Sequence, residues 1–273
     1  MKKIIAAVDF SSVSKNAAYY AADLASQINA ELLLANVVEV PMSMVGIPET
    51  SYAIDNVIED SEQELLQLRT ELAKHVNDRV KITTCNLAGS VAYSLQELAK
   101  KENPFCIVVG TDRMTAAEHL LVRNHALAAA QSVNIPVLII PPETSFKEIT
   151  SVVLASDLRG CENIRALQTL KDWIRPFNIK LDVLNVVDGV QPTSEGVTCS
   201  RTLLNELSEF NPEYHFIDNN KVKEGVDNYI DQHHSDLLVI MPGRHGFVDG
   251  LFHKSESKRL IQNPPVPVLS IHK

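Results

Sequence analysis

The residues of this sequence whose types and spacing can do chemistry are two carboxylates, two pairs of basic side chains and a set of histidines. Asp9 and Asp157 each close a short apolar run, at residues 4–8 and 152–156. Ser11 and Ser12 follow Asp9, and a carboxylate beside hydroxyls could accept a phosphoryl group. Ser11, Ser12 and Ser14 are also the residue types that cap a helix, and capping accounts for them without catalysis. Arg113 and Arg123 in the first half recur at the same separation as Arg244 and Lys254 in the second. Guanidinium and ammonium groups hold phosphates through charge-assisted bonds, so each pair points to an anion. Asn124 and Ser255 follow the second member of each pair and add a polar contact. Gly110 precedes the first pair, and Gly243 and Gly246 flank Arg244. Glycine lets a backbone N–H approach an anion closely.

Other chemistries find less support. His233, His234, His245, His253 and His272 crowd the second half, but no two of them stand four apart as a helical metal-ligand pair would. They read as a solvated surface, with no metal. The loops GxxxxGK and GxSxG, and a GxGxxG behind the first strand, are all missing. The expectation is a protein that is not an enzyme. Cys85, Cys106, Cys161 and Cys199 show neither close pairing nor metal-ligand spacing, the usage of a reducing cytoplasm.

The elements that must position these residues come as one unit used twice. Residues 108–140 align without a gap on residues 239–271, setting Val108 over Val239, Arg113 over Arg244, Arg123 over Lys254 and Ile135-Pro136-Val137 over Val266-Pro267-Val268. In the first half, apolar runs predict strands at 4–8, 32–38, 80–85, 105–110 and 137–140. Ala17, Ala21, Leu24 and Ile28 mark one helix; Leu65, Leu68, Leu72 and Val76 mark another. Further helices are expected at 90–101 and 118–132, and residues 39–56, with Pro41, Gly46 and Pro48, read as a loop. The second half repeats the order. Strands are expected at 151–156, 180–187, 214–217, 237–241 and 267–271, and helices over Ile164, Leu167 and Ile174, over Leu203, Leu207 and Phe210, and at 221–233. This alternation predicts an α/β chain of two tandem doubly wound, Rossmann-like domains, each an open parallel five-stranded sheet with helices on both faces. The domains are expected at 1–143 and 149–273, with a linker at 144–148.

Composition bounds the function. The 273 residues are 45% hydrophobic, enough for two globular cores. The 34 acidic residues outnumber the 25 basic ones, so phosphate backbones are repelled and no nucleic-acid partner is expected. No apolar run approaches the roughly 20 residues that span a bilayer, so no membrane partner is expected. The first apolar run reaches Asp9 too soon for a secretory leader, and with the cysteine usage a cytoplasmic location is expected.

In these features the chain resembles the universal stress protein family, in its tandem two-domain form, over essentially its whole length. The resemblance is carried by the strands ending at Asp9 and Asp157, by Asn36-Val37-Val38 and Asn185-Val186-Val187, by Val108-Val109-Gly110-Thr111-Asp112, and by residues 135–140 and 266–271. It implies contacts of Asp9 and Asp157 with a nucleoside and of Val37 and Val186 with its base. It also implies ATP or another adenine nucleotide at a loop of the form G-x2-G-x9-G-[ST]. This sequence departs from that loop. Gly110 stands at the first glycine, but Arg113, Arg123 and Asn124 occupy the later positions; in the second half the same positions hold Met241, Arg244, Lys254 and Ser255. Reading Gly243 and Gly246 as the motif shifts the helix against the closing strand. Two readings stay open: the basic side chains fill vestigial sites, or they hold an anion in another way, the second half being the better candidate because it keeps Ser255 and its glycines. The resemblance implies a non-enzymatic binding or signalling role in a bacterial stress response. The alternative is a nucleotide hydrolase or transferase using Asp157, Lys254 and Ser255. The expected partners are the two halves for each other through their last strands, a second copy in a homodimer, and a protein of unknown identity.

Overall fold

The computed structural model describes residues 1–39, 48–112, 133–156, 164–187, 194–219, 221–242, 260–261 and 263–271. The chain divides into two compact units, Met1–Phe146 and Lys147–Lys273. The fold class is α/β, with parallel strands in each unit and helices packed on them.

In the first unit, β1 (Lys3–Val8), β2 (Glu31–Val38), β3 (Ile82–Ala88), β4 (Cys106–Gly110) and β5 (Val137–Ile140) lie in the order β3-β2-β1-β4-β5. All their pairings are parallel. Strands in the middle of such a sheet are covered on both faces, which is why β1 and β4 read as unbroken apolar runs. Ile4, Ile5, Ile107 and Val108 are fully buried. The helix α1 (Ser12–Gln27) begins where the Ser11 hydroxyl accepts from the Ser14 N–H. Ala17, Ala18, Ala21, Ala22 and Ala25 are buried along it, and such small side chains let the helix lie close against the strands. Asn29, in the left-handed region at φ 53°, turns the chain toward β2.

Two expectations are corrected here. The stretch read as a loop to residue 56 is helical from Pro48, in α2 (Pro48–His75). Proline at a helix start loses no hydrogen bond, because the first N–H groups have no partner inside the helix. The third strand runs Ile82–Ala88 rather than 80–85, paired with β2 from Leu32 opposite Ile82 to Val38 opposite Ala88. Helix α3 (Val91–Glu102) ends at Asn103 in the left-handed conformation. The helix expected at 118–132 lies outside the described residues.

The second unit repeats this plan. Its strands β6 (Ser151–Ala155), β7 (Lys180–Val187), β8 (Glu213–Asp218), β9 (Leu237–Ile240) and β10 (Val268–Ser270) lie in the order β8-β7-β6-β9-β10, again parallel. The described helices are α4 (Ile164–Ile174), α5 (Ser194–Glu206) and α6 (Val222–His233). On α4 the buried face is Ala166, Leu167, Leu170, Trp173 and Ile174, while Ile164, read as part of it, is exposed. Helix α5 stops at Glu206 and a short 3-10 turn, Ser208–Phe210, follows; Phe210 lies beyond the α-helix. Cys85 and Cys106 are in no disulfide, whereas Cys199 is disulfide-bonded, a pairing that the spacing did not reveal.

Candidate functional site

The site in the first unit follows from strand order. Strand β1 lies between β2 and β4. The chain leaves β1 toward β2 and later returns on the other side at β4, so the winding reverses between β1 and β4. In open parallel sheets the crevice beyond the carboxyl ends at such a reversal is where ligands bind. The register sets Ile4 opposite Cys106 and Ala6 opposite Val108, and its continuation places Val8 beside Gly110. Asp9, Gly110 and Thr111 therefore emerge at one edge.

Local chemistry shapes that edge. Phe10 takes the left-handed conformation, φ 64°, which swings the chain off β1 and leaves Asp9 exposed at the start of α1. The Ser11 N–H and hydroxyl both donate to Asp9 Oδ1, at 3.1 and 2.6 Å. The Asp9 N–H donates in turn to Ser14 Oγ at 3.2 Å. A carboxylate there is favoured by the positive end of the helix dipole. The arrangement caps α1.

Gly110 is pressed against the first turn of α1. A Cβ at this position would lie 2.6 Å from the Val13 carbonyl oxygen and 2.7 Å from Val13 Cγ1, so only glycine fits. The Thr111 N–H donates to the Ile140 carbonyl at 3.0 Å. Its hydroxyl is buried and finds no hydrogen-bond partner among the described residues.

Val37, at the end of β2, is half-buried. Its neighbour Asn36 is buried and donates from Nδ2 to the Val8 carbonyl at 2.8 Å, tying the last carbonyl of β1 to β2. Asn185 makes the matching bond to the Ser156 carbonyl at 2.7 Å in the second unit. These two asparagines, and the Thr111 hydroxyl, are parts of the edge to which sequence reasoning assigned no role. The signal was present for the asparagines: an amide side chain inside an otherwise apolar strand, in both halves, must satisfy a backbone group.

In the second unit the reversal falls between β6 and β9. Val186 is 1% exposed, and a Cβ on Gly225 of α6 would come within 2.9 Å of its Cγ1. Val186 is thus packed against α6. Met241 and Pro242 follow β9, both half-buried, with Met241 at the repeat position of Gly110. Asp157, Gly243, Arg244, Gly246, Lys254 and Ser255 lie outside the described residues, as do Arg113, Arg123 and Asn124 of the first unit. The structure therefore brings Asp9 and Gly110 together, with Val37 on the strand beside them. Among the described residues, no helix is long and apolar enough to cross a membrane.

The comparisons with known proteins agree with this geometry. Residues 1–141 match the model of the universal stress protein family. A universal stress protein of Methanocaldococcus jannaschii is 33% identical over 141 residues, which cover 51% of this chain and 81% of that protein. The crystal structure of a universal stress protein from Archaeoglobus fulgidus aligns over 99% of this chain and 98% of its own, at a TM-score of 0.75 and 16% identity. A Pseudomonas aeruginosa protein aligns over 100% and 93%, at 0.59 and 10%. The two structures share the fold. The matched first half carries the family assignment: the chain belongs to the universal stress protein family.

Proposed function

We propose that this chain is a non-enzymatic binding and signalling protein of the stress response, and that its ligand is an adenine nucleotide or a related anion held at the carboxyl edge of the strands. One observation carries the reading. Asp9, Gly110 and the buried Thr111 hydroxyl, which has no hydrogen-bond partner among the described residues, lie at the carboxyl edge of β1 and β4, at the reversal of strand order. A polar group without a partner at that point is suited to a polar ligand.

The loops supply the anion-holding part of the reading. Arg113 and Arg123, and Arg244 and Lys254, stand where the family pattern has glycines, so charged side chains replace backbone N–H groups as the phosphate contacts. The second unit is the better candidate, since it keeps Gly243, Gly246 and Ser255. Asp157 and Val186 would take the places there that Asp9 and Val37 take in the first unit. The signal is a population shift, in which the ligand favours the loop conformation that binds it and a protein partner reads the change. The second unit is on this reading a second domain of the same family, paired to the first through the last strands, in a cytoplasmic bacterial protein able to form a homodimer.

The test is calorimetric titration of the nucleotide-free chain with ATP, AMP and cyclic AMP, with phosphate release followed in parallel. Saturable binding without phosphate release is expected. Arg244→Gly/Lys254→Gly is expected to weaken binding by at least about 10-fold, the scale of lost charge-assisted bonds. Phosphate release abolished by Lys254→Gly would establish a hydrolase instead. Binding gained only in the glycine variant would show that the basic side chains block the pocket.

A further inference from the structure

The second unit carries a group of ligating side chains at the opposite, amino-terminal edge of its sheet, away from the strand ends just described. Asp182 on β7 pairs in register with Glu213 on β8, and His215 follows Glu213 by two. Alternate residues of a strand share a face, so Glu213 and His215 project together. The Asp182, Glu213 and His215 ligand atoms all lie within 4.8 Å of one another. His215 Nε2 is 3.6 Å from Asp182 Oδ1 and 3.7 Å from Glu213 Oε2.

Asp182 is unusual in its place. It is 1% exposed, in the interior of a parallel sheet, where a carboxylate is costly unless something compensates its charge. The repeat shows that the fold does not require it. In the first unit the matching positions hold Leu33 opposite Thr83, with Cys85 two residues on. The second unit has replaced an apolar and two neutral residues with three that ligate metals.

The carboxylate is also oriented. The Tyr229 hydroxyl on α6 donates to Asp182 Oδ2 at 3.1 Å, which leaves Oδ1 facing the cluster. Neither Asp182 Oδ1 nor His215 Nε2 has a hydrogen bond among the described residues, although both atoms are buried. The His233 ring stacks on Tyr229, 4.0 Å between centroids, and stands 5.7 Å from the His215 ring. A hydrogen-bonded carboxylate, a neighbouring imidazole and a second carboxylate form the usual outline of a metal site with its supporting shell.

A cation already marks the spot. Lys180 Nζ lies 3.4 Å from Asp182 Oδ1 and 2.9 Å from Glu213 Oε2. The Lys180 side chain is 51% exposed and can withdraw into water. We propose that Asp182, Glu213 and His215 bind a divalent transition-metal ion of the zinc class, which displaces the Lys180 ammonium. The mixed nitrogen and oxygen donor set selects such an ion over magnesium, which demands near-octahedral oxygen coordination. Tetrahedral donors at about 2.1 Å from zinc stand about 3.4 Å apart, so the two separations from His215 Nε2, 3.6 and 3.7 Å, need only a small closure, and the carboxylates, within 4.8 Å of each other, must also draw together. Glu213, on the edge strand and 58% exposed, is free to make it. A water molecule would complete the coordination.

The experiment uses the full chain, free of any affinity tag and stripped by chelator, titrated with zinc chloride in a calorimeter, with magnesium chloride as the contrast. One zinc equivalent is expected to bind, and magnesium to give no saturable heat. His215→Ala and Glu213→Gln alter partly exposed side chains and should leave the melting temperature of the metal-free chain nearly unchanged, while weakening that equivalent by at least about 10-fold. The double change Asp182→Leu/Tyr229→Phe, which restores the leucine of the first unit and removes the orphaned hydroxyl, should do the same in a folded protein. Lys180→Met is expected to tighten binding, because the competing ammonium is gone. Zinc affinity that is unchanged in His215→Ala, or no zinc binding by the natural chain, overturns the proposal.

Discussion

Gly110→Val is expected to destabilise the protein by about 3 kcal/mol or more, at the upper end of the cost of forcing atoms into a packed site. The reason is the contact at the end of β4. An added Cβ would sit 2.6 Å from the Val13 carbonyl oxygen, which is backbone and cannot rotate away as a side chain could. Either α1 moves off the sheet or β4 loses its last pairing with β5, where Gly110 stands opposite Ile140. Both changes open the edge that carries Asp9. Urea unfolding followed by far-ultraviolet circular dichroism should show the midpoint falling by on the order of 1–2 M. A midpoint within 0.3 M of the natural chain's, roughly the error of a stability comparison, would show that the contact is not tight in solution.

Trp173→Ala is expected to cost about 3–5 kcal/mol, the range for truncating a large buried aromatic. Trp173 is 1% exposed on α4, and the Phe177 ring lies 5.3 Å away between centroids. The truncation leaves a cavity lined by side chains that the helix backbone prevents from collapsing into it. Circular dichroism is again the measurement, since the sequence contains 1 tryptophan and its fluorescence disappears with it. A loss below about 1 kcal/mol would mean that α4 is loosely packed on its sheet, contrary to the burial of Leu167, Leu170 and Ile174 beside it.

These two positions also show which parts of the molecule were legible in the sequence. Strands covered on both faces announce themselves as unbroken apolar runs, and β5 was read to its end residues because Pro136 and Pro141 bracket it. Edge strands lack that signal. Strand β3 is half-exposed along most of its length and carries Thr83, Thr84 and Asn86, so its limits were misplaced toward the apolar Val80. The start of α2 was missed because Pro48 is a loop residue by propensity, and only position decides that it opens a helix. Ile164 shares the spacing of the buried face of α4, yet it is exposed, at the first described residue of that helix.

The site divides in the same way. Asp9 and Gly110 were legible because they end apolar strands, and strand ends are where the winding of the sheet places ligands. The Thr111 hydroxyl was not, since having no partner among the described residues is a matter of three-dimensional surroundings and not of residue type. The cluster at Asp182 was hidden for a related reason. Asp182 is remote in sequence from Glu213 and His215 and meets them only through the register of β7 and β8. The histidines that crowd the second half along the chain, from His233 to His272, do not include His215. Spacing finds metal ligands on a single helix, whereas pairing across strands requires the register.

The measurement that tests the account most directly is hydrogen–deuterium exchange of the full chain, with and without saturating ATP. Slower exchange is expected in the segments that follow β1 and β4, around residues 9–14 and 110–112, or in the corresponding segments after β6 and β9, with the remaining elements unaltered. Protection confined to other parts of the chain, or none at a concentration that saturates binding, would contradict the placement of the ligand at the carboxyl edge of the strands.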